Sequence, residues 1–321
     1  MVIKIKTAIL FLFFVVFLFS GNEAIHAEAS LDLVTNHEEI ISFKNFPIND
    51  TSSYKGTETS QNEETICVKD YFIQEETTIG RDDREKIINT KIFPYSACVF
   101  VTATYRSGET YIGSGSMISP DTVLTAGHVI YNKKLKQWPR SVTVYPGVNG
   151  SHAPFGHSSS SKLASLLGWT RRFDPQYDIG MIKLDCPLGI TTGWFGLTSI
   201  ARAGLKVTST GYPGDKALQT MWTNSGEISS VTPNHVYYRL DTFGGQSGSA
   251  VYNSANQIVA VHAYAQDRQN FGTRTNAAII NWIKNDLKNM SSFPGTYGPI
   301  LDKHFRVERN PKLKLLTDSP M

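Results

Sequence analysis

Cysteine is scarce in this chain: three in 321 residues, at Cys67, Cys98 and Cys186. A small disulfide-built scaffold is thereby excluded, and no Cys/His spacing resembles a zinc site. Spacing alone leaves open whether Cys98 and Cys186 meet. Long apolar runs are also lacking. The run from Ala8 to Phe19 is shorter than the ~20 residues a membrane-spanning helix requires, and no later stretch approaches it. No strand–helix–strand alternation appears, which argues against a parallel doubly wound sheet. Neither sign of charge dominates, with 31 Lys and Arg against 28 Asp and Glu. The basic residues are scattered, without a stripe interleaved with aromatics, so a nucleic-acid partner is not expected.

Lys4 and Lys6, the apolar run and the small-residue pattern Ala27-Glu28-Ala29 read as a secretory signal over residues 1–29. Its removal leaves a soluble, exported protein without a membrane anchor. Residues 30–76 carry a net charge of −7, so residues 77–321 carry +10. Composition allows a disordered linker there. In an exported chain a removable acidic propeptide that lies against the basic body is the reading adopted. Residues 77–289 are the body, and residues 290–321 lose all periodicity and receive no role.

Between Tyr95 and Tyr264 short β-branched and aromatic runs alternate with Gly, Pro, Asn and Asp. Strands are predicted over 96–105, 110–118, 122–126, 141–146, 178–184, 205–212, 225–231, 235–241 and 256–264. This is an all-β pattern suited to antiparallel barrels or a sandwich. One helix is predicted over 276–289, with Asn276 as N-cap and Ile279, Ile280, Ile283 and Leu287 on one face.

Three stretches stand out. Val123-Leu-Thr-Ala-Gly-His-Val129 ends an apolar strand on His128. A lone His there is as a rule structural. Tyr177-Asp178-Ile-Gly-Met-Ile-Lys-Leu184 sets an acid directly before an apolar strand, where an unpartnered carboxylate is costly to bury. The bland alternative is a turn acid, and Asp174 and Asp185 compete with it. Asp241-Thr-Phe-Gly-Gly-Gln-Ser-Gly-Ser-Ala-Val251 holds two serines among glycines. Peptide hydrolysis needs a nucleophile, a base and donors aimed at the oxyanion. The last stretch can supply the first and third, because glycines let the N–H groups of Gly245 and Ser247 converge. A nucleophile elbow is excluded, since Ser249 stands where Gly-x-Ser-x-Gly needs glycine.

TAGH, YDIGMIKL and GGQSGSAV, in that order on an all-β chain with a C-terminal helix, resemble the chymotrypsin-like serine proteases. With IGRDDR, TGYPGDK, DTFGGQSGS and VAVH, residues 77–289 resemble more narrowly the bacterial glutamyl endopeptidases. The resemblance implies two six-stranded antiparallel β-barrels with the site in the cleft between them. It assigns Ser247 as nucleophile, His128 as general base and then acid, and Asp178 as the orienting carboxylate. It implies a monomer acting on protein or peptide substrates, with no cofactor. Some relatives are aided by calcium, but no acidic loop here names ligands.

The same resemblance implies cleavage after Glu, and after Asp as a second choice. A substrate carboxylate in a partly dry pocket needs donors or positive charge. His262 and the hydroxyl of Thr242 stand at the matching positions. Cleavage after Glu76 in Glu75-Glu76 would start the mature chain at Thr77, whose α-ammonium is expected near the pocket. One departure is Val129, where some relatives carry a disulfide-bonded cysteine. The His128 loop must then be held by packing of Val123, Leu124, Val129 and Ile130. Narrow, toxin-like specificity and a non-catalytic binding role on the same fold are the rival readings.

Overall fold

The sequence's short apolar runs become strands because β-branched and aromatic side chains fit a pleated, half-buried surface. The computed structural model describes residues 81–160, 162–266 and 268–289, with 33–35, 40–41, 50–57, 64–65 and 71–72 of the leader. The expected signal segment 1–29, Thr77 and the tail 290–321 lie outside the described residues.

The first unit holds β1 (Cys98–Thr104), β2 (Thr110–Ser119), β3 (Thr122–Thr125), β4 (Ser141–Pro146), β5 (Ser158–Ser160), β6 (Lys162–Leu166) and β7 (Gly180–Lys183). They pair antiparallel in the spatial order β5-β4-β1-β2-β3-β7-β6. No ladder joins β5 to β6 among the described residues, so this unit is an open half-barrel rather than a closed one. Lys183 and Asp121 form an ion pair of 2.7 Å buried at its base.

The second unit holds β8 (Lys206–Gly211), β9 (Trp222–Val231), β10 (His235–Tyr238), β11 (Ala250–Tyr252), β12 (Gln257–Gln266) and β13 (Gln269–Arg274). Its order is β12-β11-β8-β9-β10-β13, and β13 returns to pair with β12, closing a six-stranded antiparallel barrel. Val207, Ile228, Val236, Tyr238, Leu240, Val251 and Val259 fill it. Each such side chain contributes ~1.5–3 kcal/mol by leaving water. The all-β, chymotrypsin-like class is therefore present, with one closed six-stranded barrel and one open half-barrel where two six-stranded barrels were expected.

A helix follows at Ala277–Asn289. The Asn276 carboxamide oxygen accepts from the Ile279 N–H at 3.0 Å, the capping bond expected. Ile279, Ile280, Trp282 and Ile283 are buried, while the side chain of Leu287 lies outside those described. The strands over Ser158–Ser160 and Gln269–Arg274 escape a sequence reading because serine, glutamine and asparagine have weak strand preference.

Most described leader residues pair with the body, and Ile40–Ile41 pairs with Leu33–Val34 inside the leader. Leu33–Thr35 runs antiparallel to β6, Glu64–Thr65 to His152–Ala153, and Tyr71–Phe72 parallel to the start of β2.

Candidate functional site

His128 opens from a one-turn helix, Gly127–Ile130, directly after β3. Val123, Leu124, Val129 and Ile130 are all buried, as packing of this loop requires. Asp178 precedes β7, the neighbour of β3, so the ladder brings the two together. One carboxylate oxygen of Asp178 accepts from the His128 main-chain N–H at 2.8 Å. The other lies 2.7 Å from Nδ1 of the ring. Both residues are buried, with Asp178 fully so, and the ring of Trp169 stands edge-on to His128 at 6.2 Å. A carboxylate there favours the protonated imidazole and fixes its orientation. The competing acids do neither: Asp174 caps a turn through Gln176 N–H at 3.0 Å, and Asp185 is exposed.

The second barrel reaches across to Asp178. Thr273 Oγ1 donates to its main-chain carbonyl at 2.9 Å, and the Tyr264 hydroxyl donates to the same carboxylate oxygen that meets His128. Burial, and then the Asp178 charge, push the Tyr264 phenol well above its ordinary value, so it remains a donor. The Tyr264 ring also lies 5.8 Å from that of His128.

The Ser247 loop is set by two glycines in the left-handed region, Gly245 at φ +101° and Gly248 at φ +92°. A side chain at Gly248 would collide with the Ser114 carbonyl and the Thr125 hydroxyl. This close approach seats the residue after Ser247 against the strand that leads to His128. Likewise, a Cβ on Gly113 would sit 2.9 Å from Val129 and 3.3 Å from the Ser247 carbonyl. Ser114 fastens the loop: its N–H donates to the Ser247 carbonyl at 2.8 Å and its hydroxyl to the Gly245 carbonyl at 2.8 Å. Ser249 is fully buried, and its hydroxyl has no hydrogen-bond partner among the described residues. The two serines are thus inequivalent.

Gln246, directly before Ser247, is fully buried. Its side-chain oxygen accepts from the Phe243 N–H at 3.0 Å and from Arg84 Nη1 at 3.2 Å. Arg84 is itself held by Asp82 at 2.9 Å and Asp215 at 2.5 Å. Burial alone would lower the Arg84 guanidinium, but these two carboxylates raise it, so its charge is secure.

His262 is fully buried on β12 and tied to the same loop. Its N–H donates to the Ser249 carbonyl at 2.9 Å, and its carbonyl accepts from Gly248 N–H at 2.8 Å. Nδ1 lies 2.6 Å from the Tyr238 hydroxyl. Thr242 is fully buried, and its hydroxyl finds no partner among the described residues.

Sequence reasoning missed Tyr264, Tyr238, Ser114 and the Arg84–Gln246 contact. Tyr264 lies two residues after His262, but the register shift between them breaks the strand's alternation, so the spacing gives no signal. The other three meet their partners only through pairing between distant segments. Cys98 and Cys186 are both free, and burial pushes the Cys98 thiol well up.

Residues 113–261 match the trypsin-like peptidase domain. A glutamyl endopeptidase of Bacillus licheniformis is 36% identical over 222 residues, covering 65% of this chain and 68% of that protein. A Bacillus subtilis protein named extracellular metalloprotease is 36% identical over 242 residues, 73% of this chain and 75% of its own length. Among the described residues no group of three or more His, Cys, Asp or Glu is arranged to hold a metal ion. A solved Glu endopeptidase superposes with a TM-score of 0.61 at 32% identity, over 65% of this chain and 98% of its own. With the barrels, the buried His128–Asp178 pair and the glycine-set serine loop, these likenesses identify the chain as a serine endopeptidase acting on protein or peptide substrates, and it belongs to the bacterial glutamyl endopeptidase family of chymotrypsin-like serine proteases.

Proposed function

We propose that this protein is secreted as a zymogen and hydrolyses peptide bonds preferentially after Glu, with Asp as the other acidic candidate, through an acyl-enzyme. Ser247 Oγ attacks the scissile carbonyl while its proton passes to His128 Nε2. Asp178 holds the imidazole with its Nδ1 proton inward and stabilises the imidazolium. The N–H groups of Gly245 and Ser247 receive the oxyanion. His128 returns the proton to the leaving amine, and water then releases the acid product by the same steps in reverse order.

The observation that carries this reading is the two-point hold of Asp178 on His128, through main chain and ring at 2.8 and 2.7 Å. That arrangement selects one tautomer, which a structural histidine does not need. For the substrate's carboxylate, His262 and the Thr242 hydroxyl are the proposed donors. The Thr242 hydroxyl, buried and without a partner among the described residues, is left with a bond to give a ligand. Thr77, freed by a cut after Glu76, is the proposed third contributor. Signal removal at residue 29, release of residues 30–76 and a monomeric mature protein complete the reading, with no cofactor and neither nucleic acid nor membrane as partner.

The deciding experiment is a panel of peptides differing only in Glu, Asp, Gln, Leu or Lys before the cut bond. A steep preference for Glu is expected, and a flat profile would remove His262 and Thr242 from the assignment. A serine-directed phosphonate is expected on Ser247, and N-terminal sequencing of the secreted protein is expected to begin at Thr77.

A further inference from the structure

The segment that connects the two barrels, residues 193–199, carries a short strand at Gly196–Leu197 that pairs in parallel with β12 on one side. Its other side is occupied by leader residues 50–57. Tyr54 and Trp194 exchange both main-chain hydrogen bonds at 2.8 Å. Thr51 N–H donates to the Leu197 carbonyl at 2.8 Å, and Leu197 N–H donates back to the Thr51 hydroxyl at 2.8 Å and carbonyl at 3.2 Å. The Asp50 carboxylate accepts from the Thr198 hydroxyl at 2.6 Å and the Ser199 N–H at 3.1 Å. Gln257 and Ser53 add two more bonds, to the Thr51 and Ala255 carbonyls at 3.2 and 3.3 Å. The Tyr54 ring lies 4.3 Å from that of Trp194.

The body is shaped for this segment. A Cβ at Gly193 or Gly196 would strike the carbonyls of Tyr54 or Thr51. None of these contacts involves His128, Asp178, Thr242, Ser247 or His262. We propose that residues 50–57 are a clip, hydrogen-bonded along the connection between the barrels, that stays seated after the chain is cut between leader and body. The leader is then a non-covalent companion of the enzyme, held by a segment that touches none of those five residues. Main-chain pairing supplies the hold, and the leader's −7 against the body's +8 favours it. The cut belongs to the function proposed above; the seating of the clip does not depend on it.

The test uses the whole secreted protein. Native mass spectrometry and gel filtration at micromolar concentration are expected to find the cut leader travelling with the body. The complex is expected to cleave a short Glu peptide as fast as the body stripped of its leader. Thr51→Pro, which removes the N–H given to Leu197, and Tyr54→Ala are expected to release the leader. A wild-type leader that elutes apart, or variants that retain it equally, would overturn the clip. A single band on a denaturing gel would instead count against processing. Amide exchange then decides on the uncut chain: Trp194 and Leu197 should exchange at least tenfold faster in Thr51→Pro, and equal rates would overturn the clip.

Discussion

Two buried histidines, one from each barrel, are each met at Nδ1 by an oxygen at nearly the same distance: 2.7 Å for His128 and 2.6 Å for His262. The oxygens differ in kind. His128 faces a carboxylate, which is anionic and accepts only. His262 faces a phenol, which is neutral and can donate or accept. A carboxylate favours the imidazolium, so His128 suits a group that takes up and returns a proton. A phenol that donates to Nδ1 leaves Nε2–H as the donor the ring can offer a ligand. Partner chemistry, more than burial or geometry, separates the proton carrier proposed at His128 from the recognition group proposed at His262.

Substitutions can break or sharpen this contrast. The largest effect is expected outside either imidazole, at Ser247→Ala, where kcat should fall by about 10⁶-fold with an unchanged circular dichroism spectrum. Next comes Asp178→Asn, which keeps the shape but offers an amide to Nδ1. Steady-state kinetics should record a loss of about 10⁴-fold in kcat, with KM nearly constant. His262→Gln should leave catalysis of non-acidic peptides intact while shrinking the Glu-over-Gln ratio in kcat/KM by about 10- to 100-fold, from a charge-assisted bond of ~1.5–3 kcal/mol. Tyr238→Phe removes only the phenol oxygen. A stability loss of ~1–3 kcal/mol, read by thermal melting, is expected with a smaller fall in Glu preference. Ser249→Gly should be the mildest, with activity within roughly threefold, since the lost hydroxyl has no partner among the described residues and the cost is glycine's extra freedom.

The parts legible in the sequence share a cause. The strand before His128, the acid before β7 and the Asn276 cap are local patterns, in which each residue's neighbours reveal its setting. The Ser247 loop was legible because glycines announce backbone that other residues avoid. Tyr238 and Tyr264 were not, because a tyrosine on a strand reads as core wherever it falls. Their roles depend on which strand lies across from them, and on the register shift between His262 and Tyr264. The half-open first unit had the same obscurity: Ser158–Ser160 carries no apolar alternation to announce an edge.

Ser114 carries a consequence for how the enzyme fails. It belongs to the first unit, yet it donates from main chain and side chain into the Ser247 loop, and its hydroxyl accepts from Tyr212 N–H at 2.9 Å. A rotation of one barrel against the other would pull this stitch before either barrel loosened. Heating or mild denaturant should therefore silence the enzyme as soon as the halves lose alignment, while each half still keeps its strands.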